Sequence, residues 1–292
     1  MMCVICGCSD TTAVVVTDPA TGEQFTTMAP HSHEHDGVLH SHSHDHGQDH
    51  KHAHQHEHDA AATVHARQHG KTIALEQDIL AKNQLLAERN RGWLLGREIL
   101  ALNLVSSPGS GKTSLLERTI RDIGGELAIS VIEGDQATLN DALRIRATGA
   151  PAIQINTGTG CHLDADMLAR GLEQLKPPIG SVVMIENVGN LVCPALFDLG
   201  ERAKVVILSV TEGEDKPIKY PHMFKAASLM LLNKIDLLPH LRFDVHRCIA
   251  YAHEVNPGIR VLQVSAQSGE GMDVWYDWVK QNMPTGVTAA PN

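Results

Sequence analysis

The sequence predicts an α/β fold: a doubly wound, mostly parallel sheet of about seven strands, with helices on both faces. Three observations predict it. Near-continuous apolar runs recur: ILALNLVSS, AISVIEGD, AIQINTG, SVVMIENVG, KVVILSVTEG, SLMLLNKID and RVLQVSA. Helical stretches separate most of them, at 112–123, 136–147, 164–175, 244–255 and 270–282. Strands buried on both faces read as unbroken apolar runs, so this alternation implies a parallel sheet covered on both sides. The third observation is a Gly/Ser-rich turn, Ser106 to Thr113, between the first such strand and the first such helix.

Ahead of this domain the chain changes character. Residues 1–30 are short of periodic apolar pattern and open on Cys3, Cys6 and Cys8. Three cysteines in six residues are too crowded for a disulfide framework, and CxxCxC is a dense soft-ligand set suited to a metal. The opening MMCVICGCSD has no basic segment followed by an apolar run, so no secretory signal is expected. No stretch reaches ~18 apolar residues, so no membrane span is expected, and the predicted location is cytoplasmic.

Residues 31–70 form a His-rich linker. Of the 19 histidines, 14 lie between His31 and His69. The part from 31 to 58 alternates His with Ser, Asp, Glu, Gly and Gln, cannot bury enough apolar surface to order itself, and is expected to be disordered without metal. Its imidazoles offer many weak sites for Ni²⁺ or Zn²⁺, in competition with protons below about pH 6.5. From Lys71 an amphipathic helix is predicted to about Arg97, with Ile73, Leu75, Ile79, Leu80, Leu85 and Leu86 at roughly helical spacing. It begins a domain spanning 71–283, and 284–292 reads as a tail. The net charge of −10 over 292 residues argues against a nucleic-acid partner.

The turn SSPGSGKT has the context of a P-loop. Small residues Gly109, Ser110 and Gly111 let backbone N–H groups curl around a phosphate, and the helix start at Lys112, Thr113 and Ser114 adds partial positive charge. Lys112 would reach the β and γ phosphates, and the Thr113 hydroxyl would meet Mg²⁺. Ser106 replaces the first glycine of GxxxxGK[ST], a departure from the motif. Asn233-Lys234-Ile235-Asp236, after a strand, has the form NKxD. The Asp236 carboxylate would accept two N–H bonds from guanine, a pair adenine cannot offer, so GTP is the expected nucleotide. Ser265-Ala266 fits a second guanine-contacting loop. Asp135 and Glu186 end two strands, where carboxylates face the nucleotide crevice and can orient Mg²⁺. No catalytic Gln or arginine finger is evident, so slow intrinsic hydrolysis is expected.

Cys161-His162 follows the loop NTGTG, and Cys193 lies seven residues after Glu186. Two thiolates and an imidazole at one end of the sheet can hold Zn²⁺ or Ni²⁺, with a fourth position left for solvent or a second subunit. Cys248 lies on an apolar helical stretch and reads as core.

Together CxxCxC, the His-rich linker, SSPGSGKT, VIEGD, TGTGCHLDA, IENVGNLVCP, TEGEDKPIKYPHMF and LMLLNKIDLLP resemble the HypB family of hydrogenase maturation factors. These are metal-binding P-loop GTPases of the SIMIBI class. The resemblance covers nearly all of 71–282 and the extreme N-terminus. It implies nickel delivery to the [NiFe]-hydrogenase large-subunit precursor and a GTP-dependent homodimer. It also implies a HypA-type zinc-containing partner and a SlyD-type nickel metallochaperone. Cys3, Cys6 and Cys8 match the family's high-affinity nickel site; Cys161, His162 and Cys193 match its nickel/zinc site. The chain starts Met1-Met2-Cys3, one residue longer than the family pattern, so a ligand role for the terminal amine is not carried over. A urease-type nickel-insertion GTPase and a nickel storage protein are the alternatives.

Overall fold

The computed structural model describes residues 77–284, apart from 136–139 and 159–161, with the backbone of residues 60–76 and of four short strands before them. Those strands are β1 (Val14–Thr17), β2 (Gln24–Thr27), β3 (His33–His35) and β4 (Val38–His40). Next come α1 (Ala60–Gly96), β5 (Leu100–Ser106), α2 (Lys112–Ile123), β6 (Ile129–Asp135), α3 (Asn140–Arg146) and β7 (Ala152–Asn156). Then follow α4 (Ala165–Leu175), β8 (Val182–Gly189), α5 (Cys193–Leu196), β9 (Ala203–Ser209), α6 (Lys216–Lys219) and α7 (Pro221–Ala226). The last described elements are β10 (Leu229–Asn233), a 3-10 turn (Ile235–His240), α8 (Val245–Val255), β11 (Arg260–Gln263) and α9 (Met272–Gln281).

The seven predicted strands are β5 to β11. They form one parallel sheet in the order β11-β10-β9-β5-β8-β6-β7. The chain leaves β5 for β6, returns to insert β8 between them, and then builds outward through β9. That reversal opens a crevice at the carboxyl ends of β5 and β8. The expected count falls short by two: β1 and β2 form a hairpin that extends the sheet antiparallel at β7. VVVT and QFTT are β-prone, and DPATGE between them is turn chemistry. Within the predicted disordered stretch, β3 and β4 pair over three residues each; residues 41–59 lie outside the described residues.

Side chains alternate between two layers. Leu100, Leu102 and Leu104 of β5 join Leu115 and Leu116 of α2 and Trp275 of α9 in one core. Ala101 packs in the opposite layer with Leu94 of α1, Leu168 of α4, and Val183 and Ile185 of β8. By that period of two, Glu133 and Glu186 face the α2 layer, while Asn103 and Asn187 face the α1/α4 layer.

Of the predicted apolar positions of α1, Leu80 and Leu86 are half-buried while Leu85 faces away, and the side chains of Ile73 and Leu75 lie outside the described residues. Leu85 is 76% exposed, and the buried positions are Asn83, Ala87, Asn90 and Leu94. Asn83 donates to the Asp198 carbonyl at 2.7 Å and accepts the Ala165 N–H at 2.9 Å. Asn90 donates to the carbonyls of Ala165 at 2.7 Å and Leu199 at 3.0 Å. This helix is therefore held by side-chain amides that satisfy loop backbone, a role invisible to apolar periodicity. Gly200, at φ +90°, lies so close to Ala87 and Arg91 that a Cβ would collide with their backbone. No helix among the described residues is long and apolar enough to cross a membrane.

Candidate functional site

The turn after β5 wraps around the start of α2. Gly109 and Gly111 take φ of +75° and +95°, which only glycine adopts without strain. At Gly111 space matters too: a Cβ would sit 2.7 Å from Asn233 Nδ2. Asn233 Nδ2 donates to the Ser110 carbonyl at 2.9 Å, and Lys234 Nζ donates to the Gly109 carbonyl at 2.7 Å. The NKxD element thus braces the phosphate loop from behind. Asp236 accepts a hydrogen bond from Ser265 Oγ at 2.5 Å, and Ala266 N–H donates to Asn233 Oδ1 at 3.3 Å. The two predicted guanine loops are therefore bonded to each other.

A cavity of about 620 Å³ opens above this loop. It is lined by the predicted Gly109, Ser110, Gly111, Lys112, Thr113, Ser114, Asp135 and Glu186, and also by Pro108, Asp141, Arg144 and Gly189. Thr113 Oγ1 donates to Glu186 Oε1 at 2.8 Å, and Lys112 Nζ donates to Ser106 Oγ at 2.9 Å. Ser106, the departure from the motif, thus supplies the acceptor for the P-loop lysine. Burial pulls the Lys112 ammonium below its ordinary range, against the opposing pull of Glu186. Burial pushes Glu186 up to about 7, held back by Lys112 and the Thr113 hydrogen bond. Glu186 Oε2 and Ser110 Oγ are buried without a hydrogen-bond partner. A carboxylate oxygen and a hydroxyl left unmatched there fit a nucleotide's Mg²⁺ and phosphate.

Sequence reasoning missed Glu133. It pairs with Glu186 in register across β6 and β8 and is 2% exposed, with Oε2 unpartnered. Burial, reinforced by Glu186, pushes its carboxyl up to about 9. The signal was present: Glu133 and Asp135 are two apart on one strand and so share a face. Arg144 was also missed; it bonds Glu117 at 2.8 Å and Asp141 at 3.0 Å on the cavity rim.

Of the predicted metal ligands, Cys3, Cys6, Cys8 and Cys161 lie outside the described residues. His162 is 6% exposed, and its ring lies on Phe197 with centroids 3.9 Å apart. Burial lowers its pKa to about 4, leaving a neutral imidazole at neutral pH. The helix that follows is capped by Asp164, which accepts the Met167 N–H at 2.8 Å. Cys193 is the half-buried first residue of α5, and Phe197 follows that helix. Among the described residues no group of three or more His, Cys, Asp or Glu could hold a metal ion. Cys248 is fully buried, as expected, and its thiol is pushed up to about 12.

A strand–loop–helix phosphate cradle, a carboxylate bonded to its threonine, and a bonded pair of NKxD and Ser-Ala loops define a P-loop nucleotide-binding domain of the guanine-reading type. Residues 100–263 match the CobW/HypB/UreG nucleotide-binding domain. Over 210 residues the chain is 62% identical to the hydrogenase maturation factor HypB of Escherichia coli strain K12, covering 72% of each protein. Over 320 aligned residues it is 49% identical to HypB of Cupriavidus necator, covering 95% of this chain and 88% of that one. The crystal structure of HypB from Helicobacter pylori in complex with nickel superposes with a TM-score of 0.65 at 33% identity, covering 72% of this chain and all of that one. The chain belongs to the HypB family of hydrogenase maturation factors.

Proposed function

We propose that the chain is a GTP-hydrolysing metallochaperone that binds nickel and delivers it during maturation of [NiFe]-hydrogenase. The relatives' name supports the pathway, and the nickel complex of the H. pylori relative supports the metal. The observation that carries the reading is the segment from Glu186 to Phe197. At one end Glu186 holds Thr113 of the phosphate loop; at the other Phe197 lies on His162; Cys193 is between them. One short stretch therefore touches both a nucleotide group and a metal-ligand candidate.

In this reading, Lys112 and Thr113 act on phosphate and Mg²⁺, with Asp135 and Glu186 as the Mg²⁺-side carboxylates. Asn233, Lys234, Asp236, Ser265 and Ala266 select guanine. Hydrolysis is slow, as suits a switch. Loss of the γ-phosphate releases the segment after Glu186, shifts Cys193 and weakens a site made by Cys161, His162 and Cys193. Nickel affinity and nucleotide state are then reciprocally coupled. The same thiolate and imidazole donors also accept Zn²⁺. A GTP-dependent homodimer could complete the fourth position. Cys3, Cys6 and Cys8 form a second nickel site within residues 1–30. The His-rich segment 31–70 stores metal for the domain 71–283, and 284–292 is a tail. The partners are a HypA-type zinc protein, a SlyD-type nickel chaperone and the hydrogenase precursor, all in the cytoplasm.

The experiment compares nickel affinity with GDP and with a non-hydrolysable GTP analogue, in the full chain carrying C3S, C6S and C8S. Different affinities support delivery, and equal affinities sink the coupling. Hydrogenase maturation that survives K112A would point to storage instead, since storage needs no hydrolysis.

A further inference from the structure

We propose that Asn187 is a positioning residue that couples the nucleotide side of the sheet to His162, through a buried relay of Asn187, Asn103 and Glu201. The proposal rests on the nickel reading above and assigns side chains to its coupling.

Adjacent residues on a strand point to opposite faces, so Glu186 and Asn187 address different layers from one stretch of backbone. Glu186 meets Thr113 on the α2 side. Asn187, on the other side, accepts the N–H of Leu163 at 3.2 Å, directly after His162 in the chain. The Asn187 amide donates to Asn103 Oδ1 at 3.2 Å, and Asn103 donates to Glu201 Oε1 at 3.1 Å. Glu201 Oε2 accepts the Leu199 N–H at 2.7 Å. Lys204, whose Nζ is 3.7 Å from Glu201, donates to the Phe197 carbonyl at 2.8 Å, and Phe197 carries the ring on which His162 lies. Two branches therefore leave Asn187 and converge on His162, one through its backbone neighbour and one through its ring contact.

The relay is sealed from solvent. Asn103, Asn187 and Glu201 are 0%, 2% and 6% exposed. Water cannot replace a partner that moves, so each bond is kept or forfeited. Asn103 sits between Leu102 and Leu104 on a central strand, where an apolar residue would serve packing alone. A shift of β8 at Glu186 cannot leave Asn187 in place, and any shift of Asn187 pulls on Leu163.

The test uses the full-length chain with C3S, C6S and C8S, so that thiolate-to-nickel charge-transfer absorption reports Cys161 and Cys193. Chelator competition against that band gives nickel affinity with GDP and with the GTP analogue. The parent should show a difference of about tenfold between the two states. N187A should bring the two within about twofold of each other, with GDP affinity little changed. N103L, which touches neither Glu186 nor His162, should do the same and decides the matter if N187A does not fold. Folded variants that keep the parental ratio overturn the relay. So does a parental ratio near one, which leaves nickel binding itself intact. A band that is absent from the parent, or unaffected by C193S, refutes the nickel reading instead.

Discussion

Thr113 and Glu186 are joined by a hydrogen bond of 2.8 Å, so the first turn of the phosphate-loop helix is tied to the end of the neighbouring strand. The second carboxylate oxygen of Glu186 is buried and unpartnered. A Mg²⁺ ion carried with a nucleotide would find there both a hydroxyl and an anionic oxygen. E186Q keeps the shape and one acceptor but removes the charge. It should weaken Mg²⁺-dependent binding of a GTP analogue by at least about tenfold, with little effect when Mg²⁺ is omitted. Calorimetry with and without Mg²⁺ checks this; an unchanged Mg²⁺ dependence would move the role to Asp135.

Glu133 makes a pH prediction. Its folded-state carboxyl is raised to about 9 from an ordinary 4.5, first by burial and then by Glu186. Between those values the folded chain holds a proton that the unfolded chain has released, so stability falls as pH rises across that window. E133Q carries a permanent neutral amide and does not lose stability in this way. The variant should match the parent near pH 4.5 and exceed it increasingly toward pH 9. Denaturant midpoints at several pH values measure the gap; a gap that shrinks with rising pH contradicts it.

The strand–helix alternation and the nucleotide motifs were legible because both are local. An apolar run such as SVVMIENVG and a turn such as SSPGSGKT declare themselves within a dozen residues. What stayed hidden depends on contacts distant in sequence. Leu85 belongs to the apolar pattern of α1 yet is exposed, whereas Asn83 and Asn90 are buried because they satisfy the backbone of Ala165, Asp198 and Leu199. No periodicity reports a polar residue whose partners lie 75 to 115 positions away. Glu133 escaped for a related reason: its neighbour Glu186 is adjacent only once β8 inserts beside β6.

The buried amides of α1 can be tested directly. N90A removes the donor for two loop carbonyls without changing the helix's intrinsic propensity for the worse. A buried carbonyl left unmatched costs about 1–3 kcal/mol, so urea unfolding should show a loss in that range. L85A, at an exposed site on the same helix, should change stability by less than about 0.5 kcal/mol. Reversal of that order would mean that Leu85, and not the Asn90 amide, holds the helix in place.

Gly111 combines two constraints. Alanine at φ +95° is strained, and its Cβ would press on the Asn233 amide that braces the loop. G111A should destabilise the chain by about 1–3 kcal/mol and weaken nucleotide binding, whereas G125A, where a Cβ meets nothing within 4 Å, should do neither. Thermal shift with and without GDP separates the effects.

The proposed role of Asp236 is to select the base. Its carboxylate is oriented by Ser265 Oγ at 2.5 Å, and Ser265 Oγ also accepts the Ser268 N–H at 3.0 Å, so the acceptor is fixed before a nucleotide arrives. Guanine offers the ring N–H and the exocyclic amine to two carboxylate oxygens. D236N replaces one oxygen with an N–H₂ group that faces the guanine amine, donor against donor. GTP affinity should fall at least about a hundredfold, because a buried polar group left without its partner discriminates strongly. Xanthine carries a carbonyl where guanine carries the amine, and that carbonyl accepts the new N–H. Affinity for XTP should therefore rise in D236N as affinity for GTP falls. Competition between the two nucleotides for one labelled analogue measures both; equal losses for GTP and XTP would mean that Asp236 only supports the loop.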